Sequence, residues 1–376
     1  MSNIEIKSSE EAEIIKTLEQ RSDSEAKRLL RFLKMPDLSR IERSPLKEIV
    51  ERASKVKSLE GFDIIKIPEI ISTNILFDLF NMPPGHTARS KSDTYYIGED
   101  HVLRTHDTVF WYYYLNHPEI KKRIENKETL GVICYGKVYR KDEIDRNHMN
   151  VFHQFGGLYI GPDDKKTITP DDLKNVLSEV ARSIFGDVNF RFYDHNFPYT
   201  DPSFEMEAEI NGQWIEMLGS GMARKSVLAN FGLFDYHGWA FGFGLERLAM
   251  ASMDLPDIRL LWSEDPRIKK QLKLGQKYVP VSKYPPISRD ISFVVANDFI
   301  PNNYFDLIRD LGGDLVEQVE LIDKYENPEK FGAGKTSYAY RIIFRSNERT
   351  LVSGEVDEIM SKIYSETAKQ FNAELR

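Results

Sequence analysis

Cysteine is nearly missing from this sequence: Cys134 is the only one in 376 residues. An internal disulfide framework and a cysteine-rich zinc module are therefore excluded, and a reducing compartment fits. No apolar run approaches the ~18–20 residues that a membrane-spanning helix needs. Positive charge is not in excess either. Lys and Arg number 51 against 59 Asp and Glu, a net charge of −8, so the whole chain lacks a basic footprint for nucleic acid. RNA binding would have to rest on local patches or on shape. The first residues (MSNIEIKSSEEAEII) are acid-rich and carry neither a secretory nor an Arg-rich import pattern. They favour a cytoplasmic protein, with the mitochondrial matrix as the alternative.

Two nucleotide-binding signatures are absent as well. Gly238–Gly244 (GWAFGFG) is glycine-rich, but it forms neither a GxxxxGK[ST] phosphate loop nor a GxGxxG opening a helix in a βαβ unit. Four of the eight histidines, His86, His106, His148 and His153, crowd one stretch. Their neighbours are Arg and Asp, and no HExxH spacing occurs, so hydrogen bonding to phosphate or substrate is expected rather than zinc ligation.

What is present is globular in texture, with 41 % hydrophobic and 29 % charged residues, and long enough for two or three domains. Residues 1–60 are highly charged with apolar positions at helical spacing (Ile14, Ile15 and Leu18; Leu29, Leu30 and Leu33), and Ser44-Pro45 opens a further helix. They predict a helical N-terminal extension. Residues 61–272 alternate short aromatic and β-branched runs with Gly, Pro, Asn and Asp clusters, predicting a largely antiparallel sheet. Val132–Arg140 and Val151–Ile160 are strands in this reading, and Lys141–Asn150 between them is a projecting loop. Leu173, Val176, Leu177, Val180 and Ile184 form one stripe of a helix over Pro170–Gly186. A Lys/Pro-rich linker at 273–286 precedes strands Asp290–Val295, Val316–Tyr325 and Ser337–Phe344 interleaved with helices Asn303–Leu311 and Val356–Phe371. With a short last strand, residues 287–376 read β-α-β-β-α-β, the ferredoxin-like split βαβ arrangement. The fold class is α+β.

Arg140 ends a strand, and Arg247 lies where the glycine-rich strand enters a helix. A guanidinium fork matches two phosphate oxygens, so either suits a nucleoside triphosphate; pairing with Asp142 or Glu246 is the plainer alternative. Phe197 and Tyr199, in the turn Phe197-Pro198-Tyr199-Thr200-Asp201-Pro202-Ser203, fall on one side of an extended chain and can grip a flat apolar group, or serve as core.

Together these segments resemble the catalytic core of class II aminoacyl-tRNA synthetases, and more narrowly phenylalanyl-tRNA synthetases of the single-chain, organellar type. Phe77–Tyr96 with Leu103–His106 (LRTH) is similar to the first motif region. Gly136–Leu158 (GKVYRKDEIDRNHMNVFHQFGGL) is similar to the second and Gly238–Met250 (GWAFGFGLERLAM) to the third. Trp214–Met222 and Leu255–Arg259 agree too. The tail, with KYPPISRDISF, GGDLVEQVELIDKY and NERTL, resembles the ferredoxin-fold anticodon-binding domain of the same enzymes.

The resemblance implies ATP-dependent activation of phenylalanine and its transfer to tRNA(Phe), by a monomer with no second subunit, no membrane attachment and no editing domain. It implies that Arg140 holds the α-phosphate of ATP and Arg247 the γ-phosphate, that His148 reaches the β/γ-phosphates, and that Phe152 stacks on adenine. His106, Thr108 and Gln154 would contact the amino acid, Phe197 and Tyr199 would sandwich its ring edge to face, and Ala240 would line the far end. Glu205 and Glu216 are the carboxylates on the Mg²⁺ side. Arg341, Arg345 and Arg349 would contact the anticodon from one sheet face, in a tail over 283–376 whose 12 basic and 16 acidic residues leave it at −4.

Several positions depart from the family. Gly156 stands where a glutamate usually holds the substrate's ammonium, with Asp142 a candidate to compensate. Tyr199 replaces the second pocket phenylalanine, Thr108 after Asp107 replaces a serine, and Ala223-Arg224-Lys225 replaces Val-His-Pro. Two other readings follow: a paralogue serving another amino acid or acceptor, favoured by Gly156, and a non-catalytic sensor, which would be expected to lose Arg140 or Arg247.

Overall fold

Tyr236–Gly244 reads YHGWAFGFG, and as a strand it puts Trp239, Phe241 and Phe243 on one face and Gly238, Ala240, Gly242 and Gly244 on the other. The computed structural model describes residues 2–281 and 284–376 and builds an eight-stranded sheet around this segment. Its strands are β1 (Asn3–Glu5), β2 (Asp63–Lys66), β3 (Leu130–Tyr139), β4 (Val151–Pro162), β5 (Phe190–His195), β6 (Thr200–Ile210), β7 (Gln213–Ala223) and β8 (Tyr236–Gly244). The order across the sheet is β1-β2-β3-β4-β8-β7-β6-β5. From β3 onward the pairing is antiparallel, but β1 and β2 run parallel to their neighbours, Ile64 facing Ile133. The sheet is thus largely antiparallel, as expected, with one parallel edge. A long crossover from Lys66 to Leu130 makes the parallel edge possible.

The aromatic face of this sheet is a stack. Phe155 lies 5.0 Å from Phe243 and 6.1 Å from Phe241, with Tyr135 and Trp239 continuing the row. Helices close this side. In α4 (Pro170–Phe185) the stripe Leu173, Val176, Leu177, Val180 and Ile184 is buried, and a Thr169–Asp172 capping box starts it. α3 (Pro45–Ser54) packs beside it, and α5 (Leu245–Met253) packs against α3. The opposite, small-residue face is covered over its lower half. There Val132, Cys134, Leu158, Ile160 and Ala240 join a cluster with Phe77, Phe80, Phe110, Trp111 and Tyr114. Residues 1–60, expected as a helical extension, also belong to this body. They supply β1, and α1 (Ser9–Gln20) and α2 (Ser24–Lys34) bury Leu18, Leu29 and Phe32.

By compactness the chain divides into two units: residues 1–140, 151–255 and 272–277, and residues 141–150, 256–271 and 278–376. The second contains a four-stranded sheet of β9 (Ile287–Ala296), β10 (Val316–Glu326), β11 (Lys335–Phe344) and β12 (Glu374–Leu375), ordered β10-β11-β9-β12. α6 (Pro301–Gly312) and α7 (Ser353–Phe371) complete the β-α-β-β-α-β path. Phe293, Tyr304, Ile308, Tyr340, Ile342, Val356 and Ile363 form its core. Residues 141–150 do not project freely as the sequence suggested. Ile144 is buried in that core, the Val319 N–H donates to the Ile144 carbonyl at 3.1 Å, and Arg309 Nη1 donates to the Asp142 carbonyl. Ser282 and Lys283, in the linker expected at 273–286, lie outside the described residues.

Candidate active site

Beyond Ala240 the small-residue face of the first unit opens. Gln154 and Gly156 on β4 share it with Gly242 on β8 and Gly219 on β7. A three-stranded sheet (Ile70–Ser72, Tyr96–Ile97 and His101–Leu103) ends at this face and delivers Arg104, Thr105, His106 and Asp107 onto it. The Tyr139 N–H donates to the Arg104 carbonyl, and the Asp107 N–H donates to Gln154 Oε1, both at 2.9 Å. The absence of side chains at 156 and 242 is what admits this run. A Cβ at Gly156 would lie 2.3 Å from Asp107 Oδ2, and one at Gly242 would lie 3.3 Å from Oδ1.

The run is buried and polar, an expensive combination unless partners are found. Yet Arg104 Nη1, Thr105 Oγ1, both ring nitrogens of His106 and Asp107 Oδ2 have no hydrogen-bond partner among the described residues. Burial, reinforced by Arg140 and Arg104, pushes His106 down to about 3, so its ring is neutral at physiological pH. Burial pushes Asp107 up to about 7 against a weaker pull downward from Arg104 and Arg140. Four consecutive residues with orphaned atoms mark a place completed by something else.

The rings expected to grip a substrate stand at its edge. Phe197 and Tyr199 are parallel at 5.9 Å, with 10° between their planes. They stack on one another. Tyr199 also stacks on His106 at 6.1 Å and meets Phe80 edge-on, and Thr108 hydrogen-bonds with its hydroxyl. Phe197 lies over Gly219, where a Cβ would come within 2.6 Å of the ring. Ala240 sits in the core cluster against which Tyr199 packs.

Arg140 and Arg247 belong to one end of the sheet: β3 stops at Tyr139 opposite Val151, and β8 stops at Gly244 opposite Gln154. Arg247 pairs with Glu216, not with the Glu246 that the sequence offered. Arg140 Nε donates to the Thr105 carbonyl at 2.9 Å, and its guanidinium lies 5.2 Å from the Phe152 ring centroid. Arg247 is half exposed and bonds Glu216 at 2.8 Å. Glu246 instead is buried with His153: Nδ1 donates to Glu246 at 2.6 Å while Nε2 accepts from the Leu38 N–H. His153 is therefore a structural residue, and so is His86, whose Nδ1 caps Ala88. His153, fully buried with both ring nitrogens engaged, does not fit the phosphate or substrate role expected of the histidine group. His148 lies in the second unit, its Nδ1 bonded to Asp145 at 2.8 Å. Glu205 pairs with His195 at 3.3 Å on the face that carries Glu216. No group of three metal ligands occurs among the described residues.

In the second unit the three arginines do not form one strand face, because β11 ends at Phe344 and only Arg341 lies on it. Each meets a carboxylate: Arg341 bonds Asp290, Arg345 bonds the buried Glu317 at 2.6 Å, and Arg349 bonds Glu355. The open sheet face instead places Tyr325, 47 % exposed, opposite Ser337, on the side of Arg341. Sequence reading passed over both Tyr325 and Arg104. It noticed Asp107 only as a neighbour of Thr108, and named Asp142, which lies in the second unit, as the carboxylate to offset Gly156. The usable signal was the pair itself: a carboxylate at 107 and no side chain at 156.

Comparison with known proteins agrees with this architecture. Residues 32–272 match the family described as tRNA synthetases class II core domain (F), and residues 282–376 match the ferredoxin-fold anticodon binding domain. The chain is 41 % identical over 318 residues to a chloroplastic/mitochondrial phenylalanine–tRNA ligase of Arabidopsis thaliana, covering 82 % of this chain and 71 % of that protein. A mitochondrial phenylalanine–tRNA ligase of Mus musculus is 37 % identical over 349 residues, with 83 % and 74 % covered. One from Saccharomyces cerevisiae is 30 % identical over 417 residues, with 88 % and 87 % covered.

Proposed function

We infer, from the premise that this chain belongs to the class II tRNA synthetases, that it is a phenylalanine–tRNA ligase: it activates phenylalanine with ATP and transfers it to tRNA(Phe). Class II synthetases use ATP and typically Mg²⁺. The observation that carries the reading is the orphan-studded run Arg104–Asp107 lying on a glycine-lined sheet face, with an aromatic pair beside it and Arg140 bonded to its backbone.

The substrate carboxylate is already a nucleophile, so the first step needs no general base. It attacks the α-phosphate in line, and pyrophosphate leaves. Catalysis is then positioning plus cations aimed at developing negative charge, an effect of ~3–4 kcal/mol per well-placed donor. Arg140, oriented by the Thr105 carbonyl, meets the α-phosphate, and Phe152 beneath it stacks on adenine. Arg247 exchanges Glu216 for the γ-phosphate. His106, held neutral by burial, and Gln154 and Thr108 bind the amino acid, while Phe197, Tyr199 and Ala240 enclose its ring. Glu205 and Glu216 would supply oxygen donors of the kind Mg²⁺ prefers, and the ion would offset negative charge on the nucleotide. A terminal ribose hydroxyl of tRNA then attacks the acyl-adenylate. In the second unit Tyr325 and Arg341 offer stacking and base-edge contacts to a splayed anticodon, which suits a domain of net −4 better than phosphate tracking.

The protein works as a single chain, without a second subunit or proofreading. Its curated relatives favour the mitochondrial alternative over the cytoplasmic expectation from the acidic N-terminus. ATP–pyrophosphate exchange across the twenty amino acids tests the reading. Phenylalanine should drive exchange most strongly, and exchange driven by another amino acid alone would replace it with the paralogue reading.

A further inference from the structure

A carboxylate 3 % exposed lies on the glycine face beside the aromatic pocket; backbone N–H groups of Asp107 and Thr108 bond it, but its Oδ2 has no partner among the described residues. Arg104 acts on it electrostatically, but Arg104 Nη1 is itself an orphan, so these two atoms do not bond each other. His106 is neutral and cannot serve as the counter-cation. An ionised group so placed calls for a small cation with N–H donors, brought in with the ligand. An amino acid carries one such group, two bonds from the carbon that bears its ring.

We propose that Asp107 binds the α-ammonium group of the amino-acid substrate, and that Gly156 is glycine because the Asp107 carboxylate occupies the space its side chain would fill. The proposal rests on the amino-acid-activating reading given above and adds its specificity-determining anion. The geometry makes the two positions mutually exclusive: any Cβ at 156 meets Asp107 Oδ2 at 2.3 Å, so only one of them can present a carboxylate to this spot. It also explains why Gln154 lies between them in the chain of contacts. Its Oε1 takes the Asp107 N–H and fixes the backbone from which the carboxylate projects. The departure at Gly156 is then a relocation of the anion from β4 to the run above it.

The test compares wild type with Asp107→Asn, Asp107→Ala and the double variant Asp107→Ala/Gly156→Glu, each checked by thermal melting. Readouts are phenylalanine-dependent pyrophosphate exchange and competitive inhibition by phenylalaninol, which keeps the ammonium, and by 3-phenylpropanoate, which lacks it. Asp107→Asn should raise KM for phenylalanine roughly 100-fold, the usual result of removing the anion from a buried charge pair. It should weaken phenylalaninol similarly and leave 3-phenylpropanoate within threefold. The double variant should recover at least tenfold over Asp107→Ala. The proposal is overturned if Asp107→Asn leaves KM within twofold, if all three ligands weaken alike, or if the double variant shows no recovery. If wild type activates a different amino acid, the phenylalanine assignment fails, and the same variants assayed with that amino acid still decide the role of Asp107.

Discussion

The unpaired carboxylate at 107 should tie the stability of the empty protein to pH in an unusual direction. Its value rises from 3.8 to about 7 because burial penalises the charged form. Between those values the folded protein holds a proton that the unfolded chain has released. Stability contributed by this group is therefore complete below about pH 4 and is lost as pH rises through about 7. At 1.36 kcal/mol per pH unit, the shift is worth about 4 kcal/mol at full ionisation, taken as an upper figure for order of magnitude. Asp107→Asn keeps the shape and removes the charge. It should melt close to wild type at pH 4 and several degrees higher at pH 8.5, where ~1 kcal/mol corresponds to about 2–4 °C for a unit of this size. Adding phenylalanine should raise the wild-type midpoint at pH 8.5 and move that of the variant far less. A difference between the two proteins that is the same at both pH values would refute the reasoning, because an ordinary surface or capping aspartate gives no such dependence.

Other perturbations probe separate parts of the structure. Glu246→Gln should destabilise the first unit by about 1–3 kcal/mol, read as a lower melting temperature, because Glu246 accepts from both the His153 N–H and Nδ1, and a glutamine turns its NH₂ toward one of these donors. Tyrosine should support pyrophosphate exchange within ~10²-fold of phenylalanine, since a pocket ending at Ala240 has little means to reject an added hydroxyl; exchange at background level would contradict that. Tyr325→Ala should weaken tRNA binding by about 1–3 kcal/mol while leaving exchange without tRNA unchanged, which filter binding and exchange assays together would show.

How far the sequence disclosed this structure depended on whether the relevant interaction was local. The elements of the second unit were legible within a few residues, because alternation and helical stripes are properties of adjacent positions. The same holds for α4 and for the Gly/aromatic alternation of β8. Pairing partners were not legible. That β1 and β2 would run parallel to β3 depends on contacts far apart in sequence, as does the docking of Ile144 into the second unit's core. At the site, Arg140, Arg247, Phe197 and Tyr199 stood out by type and position. The distinction between a ligand-seeking histidine and a structural one did not, since His106 and His153 differ only in what surrounds them. Arg345 looked like an RNA contact by composition, yet its neighbour in space is Glu317, buried and needing a cation. The exchange of a carboxylate between 156 and 107 required coordinates, because only there do the two positions meet.

The whole account turns on Arg140 and Arg247 acting on one nucleotide from the same end of the sheet. Pre-steady-state adenylate formation by Arg140→Ala and Arg247→Ala, with folding verified by melting, measures this most directly. The rate should fall roughly 10²–10³-fold for each variant, the usual consequence of losing one preorganised donor from a developing charge. Rates within twofold of wild type for either variant would contradict the mechanism.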